Sequence, residues 1–166
     1  MVGDCGEVIM SPIYAKLKDI VDALDIQDDT FSQYLDRETG RIVLITEDIQ
    51  AAAKSRTPKN PSFSEEWHEA VELFKQIKAD KRGRFVAILS RYDIHEYAIM
   101  RDFVLSLEDE KLSQLLVREI EATGAFRRFN QRLRRHDLFA QWEAYRLEAL
   151  TKIAKKWCET EGVLYA

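Results

Sequence analysis

The chain predicts an α+β domain: a small antiparallel sheet of three or four strands, packed on one side by about six helices, with the C-terminal half all-helical. Three observations lead there. Apolar residues recur at helical spacing through nearly everything after Asp93, whereas strand-like character is confined to two short stretches, Tyr34 to Ile45 and Phe85 to Leu89. At 166 residues, with 46% hydrophobic and 33% charged side chains, the composition is that of one folded domain rather than a disordered chain. No internal repeat or low-complexity segment divides it, so residues 1–166 read as one unit, with a loose terminus over 1–11, a helix–hairpin–helix–strand half over 12–92 and a helical half over 93–166.

Each element has its own signal. Ser11-Pro12 reads as a cap followed by a proline suited to a first helical position, and Ile13, Leu17, Ile20, Val21 and Leu24 follow on one helical face. Next comes a hairpin. Tyr34 and Leu35 lie on its first strand, Ile42 to Ile45 on its second, and Asp36 to Gly40 forms the turn, its glycine free to take a positive φ. Four consecutive apolar residues in the second strand predict cover on both faces. Thr46 to Ala53 is ambiguous in pattern, a helical turn from Glu47 being one reading, and Lys54 to Pro61, with two prolines and three cations, is a loop.

Ser62 with Glu65 forms a capping-box pattern ahead of a helix whose apolar face is Trp67, Ala70, Val71, Phe74 and Ile77. Phe85 to Leu89 is a third strand. Asp93 and Glu96 then repeat the capping-box spacing, with Tyr97, Met100, Phe103, Val104 and Leu107 along the following helix face. A helix beginning near Glu108 to Glu110 turns Leu112, Leu115, Leu116 and Ile120 inward and ends at Gly124. Ala125 to Arg135 continues with Phe126, Phe129 and Leu133 inward. Asp137 is placed to cap a final helix carrying Leu138, Trp142, Tyr145, Ala149, Ile153 and Trp157, which Gly162 stops. Val163 to Tyr165 could add a last edge strand.

KLKDIVDAL, YLDRETGRIVLI, FVAIL with DIHEYAIMRDFVLSLEDE, GAFRRF, and the closing pattern of Trp142, Tyr145, Ala154, Trp157 and Cys158 together resemble the bacterial uncharacterised protein family 0158. The resemblance spans roughly residues 14–163, with DIHEYAIM and GAFRRF its most specific pieces, and Lys54 to Lys75 departs from it most. It implies an intracellular bacterial α+β protein and carries no activity or site residues.

Charge is the main functional signal. The chain nets −4, yet residues 124–136 and residues 75–91 each net +5, so the remainder nets −14. The first island is the sharper candidate. Arg127, Arg128, Arg132, Arg134 and Arg135 fall within nine residues and His136 follows. Arg128, Arg132 and Arg135 are spaced to share an outward stripe opposite Phe126, Phe129 and Leu133, and Thr123-Gly124 would place a helix N-terminus beside them. A planar guanidinium grips phosphate or carboxylate in two places, so these residues are anion-binding candidates. Glu108, Asp109, Glu110, Glu119 and Glu121 on the preceding helix could instead pair with the arginines, within the domain or across a homodimer. Stacking partners for a nucleic acid would be Tyr92, His136 or Phe139.

A second candidate is the polar cluster Asp93, His95 and Glu96. Its acids are explained by capping; an enzyme acting on a phosphorylated substrate would use them around His95. A metal would need His68 with Glu65 or Glu69 to join by tertiary coincidence. No nucleotide loop or nucleophile elbow occurs, and no cofactor, metal or complete catalytic set is expected. Cys158 reads as a buried thiol and, with Cys5, makes no disulfide framework, which suits a cytoplasmic setting. The longest apolar run, Phe85 to Leu89, falls far short of the ~20 residues that span a bilayer, so neither a membrane segment nor an export signal is expected. The reading is therefore a small binding or regulatory domain whose arginine helix contacts an acidic protein or nucleic acid, with the enzyme and the homodimer as alternatives.

Overall fold

A computed structural model describes residues 12–55, 61–121 and 125–166. These form three strands and eight helices: α1 (Leu17–Asp25), β1 (Phe31–Asp36), β2 (Arg41–Thr46), α2 (Glu47–Lys54), α3 (Glu65–Ala79), β3 (Phe85–Ala87), the single turn α4 (Arg91–Ile94), α5 (Glu96–Leu105), α6 (Glu110–Ile120), α7 (Ala125–Arg135) and α8 (Phe139–Glu161). The sheet is antiparallel in the order β2-β1-β3. The expected α+β class holds, and among the described residues every element from Arg91 onward is a helix, joined by short links.

The sheet is covered on both faces, not one. Strand alternation sends Leu35, Ile42 and Val86 to the main core, built with α1 and α5 to α8 around Phe103, Leu116, Phe129, Leu133, Leu150 and Trp142. It sends Tyr34, Val43, Ile45 and Phe85 to a second, smaller cluster with Ile49 of α2 and Val71, Phe74 and Ile77 of α3. The apolar run in β2 has this origin, although Leu44, on the outer edge, stays 46% exposed.

Several element starts differ from expectation, each because a longer-range contact decides. The first helix begins at Leu17 rather than after Pro12, and Ser11 lies outside the described residues. Residues 15–17 instead pair in parallel with the chain's end: Ala15 N–H donates to the Leu164 carbonyl (2.9 Å) and Leu17 N–H to that of Ala166 (3.0 Å). The C-terminal segment is thus a bridge to Ala15 rather than a fourth strand of the sheet, and it satisfies a free N–H at the start of α1. Ser64, not Ser62, caps α3, its hydroxyl accepting from Trp67 N–H at 3.2 Å. Phe63 stacked on Trp67, with centroids 4.2 Å apart, fixes that entry.

In the helical half, α4 is closed by Ser90 and Asp93, so Asp93 is the acid of a capping box and not its N-cap. His95 (φ 54°) joins α4 to α5. α5 buries Ile99 where Tyr97 was expected; Tyr97 is 45% exposed. Leu115 and Phe126 are likewise outward, at 38% and 50%. Asp109 caps α6, its carboxylate accepting from Leu112 N–H (3.0 Å), and Gly124 lies outside the described residues. Asp137 ends α7 rather than capping α8: it sits in the left-handed region (φ 55°), and Leu138 N–H reaches back to the Leu133 carbonyl at 2.9 Å. Gly162 ends α8 in the same way, with Val163 N–H on the Cys158 carbonyl at 2.8 Å.

Candidate functional site

The arginine helix α7 is anchored by Phe129 and Leu133, both fully buried, which turns the opposite arc of an 11-residue helix to solvent. At 100° per residue Arg127 and Arg134 share one line of that arc and Arg128 and Arg135 a second beside it, while Arg132 lies on the flank facing α6. The expected stripe of Arg128, Arg132 and Arg135 is therefore only partly outward. Arg132 donates from Nη2 to Glu119 Oε1 at 2.8 Å in a half-buried pair. Arg128 is exposed and also engaged. Arg127, Arg134 and Arg135 are exposed and, among the described residues, have no carboxylate within 4 Å; His136 is exposed beside them. Thr123-Gly124 lies outside the described residues.

The Arg134 guanidinium lies over the Phe139 ring, 3.6 Å from its centroid, a cation–π contact that holds the charge at the first turn of α8. Phe139 also lines an open cleft of about 450 Å³ between α7 and α8, together with Phe126, Asn130, Trp142, Arg146 and Leu147. Arg146 stands at its floor and joins three helices: it pairs with Glu96 of α5 through Nε and, at 3.4 Å, through Nη2, and with Asp25 at the end of α1 through Nη1. Burial alone would lower the Arg146 pKa, and the two carboxylates outweigh it, holding the guanidinium charged.

Asp93, His95 and Glu96 do not converge on a site. Asp93 accepts from both the Ser90 N–H (2.9 Å) and the Ser90 hydroxyl (2.6 Å), bonds that hold its carboxyl below the usual carboxylate range. Glu96 belongs to Arg146, and His95 is exposed at the junction. His68 is buried on the other side of the sheet, edge-on to Trp67, and no metal-ligand cluster forms among the described residues. Tyr92 keeps company with Arg91 and Asp29. Cys158 is fully buried, and burial pushes its thiol pKa up.

Two charged clusters were not singled out from the sequence. Arg146 sits one turn from both Trp142 and Leu150 on the inward side of α8, and a charge on an apolar stripe is the signal that a buried pair must meet it. Asp36, 4% exposed, follows Tyr34 at strand spacing and points to the same face. Its oxygens accept from Arg84 Nε (2.9 Å) and Nη2 (2.8 Å), Glu38 N–H (3.0 Å) and the Thr39 hydroxyl (3.1 Å). Each cluster ties separate elements of the fold together.

Comparison of the chain with protein-family models, with curated proteins and with solved structures returns no match. No helix among the described residues is long and apolar enough to cross a membrane.

Proposed function

We propose that this protein is a small binding domain whose helix α7 contacts an anionic partner, and that single-stranded nucleic acid is the form of partner its surroundings favour. One observation carries the reading: Arg127, Arg134 and Arg135 project from a helix without a single acid, beside the exposed ring of Phe126 and the Phe139 ring under Arg134. Guanidinium groups track a phosphate backbone, while an aromatic face accepts any base by stacking, so the two together suit an unpaired strand better than a duplex. An acidic protein surface would use the same arginines without needing Phe126. Arg132 is set apart from this role, because its pair with Glu119 ties α7 to α6.

The test is a salt titration of binding to a mixed-sequence single-stranded DNA or RNA oligonucleotide, with wild type beside an Arg127→Gln/Arg134→Gln/Arg135→Gln variant. Wild-type log affinity should fall linearly with log salt, with a slope of about −0.7 per phosphate contacted. The variant should bind weakly with a shallower slope, yet fold normally, since exposed substitutions mostly stay within about 0.5 kcal/mol each. Phe126→Ala should weaken oligonucleotide binding without changing the slope. Absence of wild-type binding at low salt refutes the nucleic-acid reading; equal binding by the triple variant refutes the assignment to α7.

A further inference from the structure

Among the described residues the β2 edge of the sheet is unpaired, and its sequence is complementary to itself. Thr30 carbonyl accepts from Glu47 N–H at 3.0 Å, which places the β1-facing hydrogen bonds of β2 at Arg41, Val43, Ile45 and Glu47. Ile42, Leu44 and Thr46 therefore direct their N–H and C=O groups away from β1, and Ile42 and Leu44 have no backbone partner there among the described residues. β2 is six residues long, carries four apolar side chains in succession and has no proline or lysine. Edge strands of this kind are ordinarily blunted, because unpaired ladder groups recruit another strand.

We propose that this edge is an interface between two copies of the chain, paired antiparallel about a two-fold axis at Leu44, so that two three-stranded sheets become one continuous sheet. A second copy is favoured over an unrelated extended peptide by the charges at the two ends of the strand. Pairing Leu44 with Leu44 of the other copy sets Ile42 opposite Thr46 and Arg41 opposite Glu47, and symmetry repeats each pair. Arg41 and Glu47 are both exposed in the single chain. Glu47 is the first residue of α2, but its N–H still lies on the β1 ladder, so in that register it stands beside Arg41 at the end of the shared strand pair, on the same face of the extended sheet. The 46% exposed Leu44 side chain would gain its own counterpart as cover. This surface is separate from α7 and needs none of its arginines.

Sedimentation velocity across a concentration series tests the proposal. Wild type should show a reversible monomer–dimer equilibrium. Arg41→Glu alone and Glu47→Arg alone should each weaken it by about tenfold or more, since each replaces two attractive cross-strand pairs by two repulsive ones. The double swap Arg41→Glu/Glu47→Arg should return to within about threefold of wild type, which a merely destabilising substitution would not do. Leu44→Pro provides a second handle. It removes a donor that faces away from β1, so it should leave the hairpin folded by circular dichroism and abolish the dimer. A wild-type protein that stays monomeric to about 0.5 mM, or a double swap as weak as either single change, overturns the proposal.

Discussion

Replacing Asp36 with asparagine should remove the strongest polar tie between the hairpin and β3. The carboxylate is almost wholly buried and accepts four hydrogen bonds, two of them from the fork of Arg84, which also reaches Glu38 at 2.8 Å and lies 4.8 Å over Phe85. An asparagine keeps one acceptor and turns an NH₂ group toward a guanidinium that can only donate. Breaking a buried pair costs about 3–5 kcal/mol; because the Arg84 side chain remains 33% exposed and keeps Glu38, the lower end, about 3 kcal/mol, is expected. At roughly 2–4 °C per kcal/mol for a chain of this size, the melting temperature should fall by about 6–12 °C. The pH dependence adds a second reading. The Arg84 hydrogen bonds hold the Asp36 carboxyl below the usual range, against burial, which acts upward. A depressed folded pKa gives stability that is fully present above the unfolded value near 3.9 and is lost as pH falls through the folded value. Urea denaturation followed by circular dichroism should therefore give a wild-type minus Asp36→Asn difference that is flat from neutral pH to about pH 5 and shrinks below about pH 4. A difference under about 1 kcal/mol at neutral pH, or one that grows on acidification, would show that the pair does not carry this load.

Two further predictions follow from contacts that join distant parts of the chain. In double-mutant cycles Arg146 should couple to Glu96 by about 1–2 kcal/mol and to Asp25 by less than about 1 kcal/mol, because the Glu96 side chain is 28% exposed and that of Asp25 54%; equal couplings would contradict the ranking. Gly40→Ala and Gly162→Ala both place a Cβ at positive φ, yet at Gly40 the new atom would stand 2.8 Å from the Tyr14 carbonyl oxygen while at Gly162 nothing lies within 4 Å. Gly162→Ala should cost about 1 kcal/mol and Gly40→Ala at least about 1 kcal/mol more, as measured by thermal denaturation; similar losses would mean that residues 13–15 yield freely.

The features legible in the sequence were those decided within a few residues. The hairpin, with Gly40 at its turn, is written in its apolar strand residues and turn chemistry, and α3, α5, α6 and α8 in helical periodicity. Caps failed where two local candidates competed and a contact chose between them. Ser62 and Ser64 both precede α3, and the Phe63–Trp67 stack decides for Ser64. The Asp93–Glu96 spacing matches a capping box as well as Ser90–Asp93 does, but the Arg146 guanidinium draws Glu96 away. The start of α1 was out of reach for the same reason, since the strand-like pairing of Ala15 involves residues 149 or more positions later. Cover on both faces of the sheet was half visible in Ile42 to Ile45 and needed α2, whose pattern is too short to be read alone.

The candidate site shows the same division. In sequence the two basic islands carry the same net charge of +5. In space acids from elsewhere meet the second: Arg84 takes Asp36 and Glu38, Lys75 takes Glu72, and Arg91 takes Asp29, while Lys78 lies over Phe74. Three of its six cations thus meet acids, and Arg84 in particular ties β3 to the hairpin. On α7 the anchoring residues Phe129 and Leu133 leave the Arg132 flank within reach of α6, where it meets Glu119, while Arg127, Arg134 and Arg135 have no carboxylate within 4 Å among the described residues. A surface arginine without a carboxylate partner contributes little to stability. Arg127, Arg134 and Arg135 share one arc with an exposed aromatic ring, and that asymmetry between two islands of equal charge is why α7 is the surface to test.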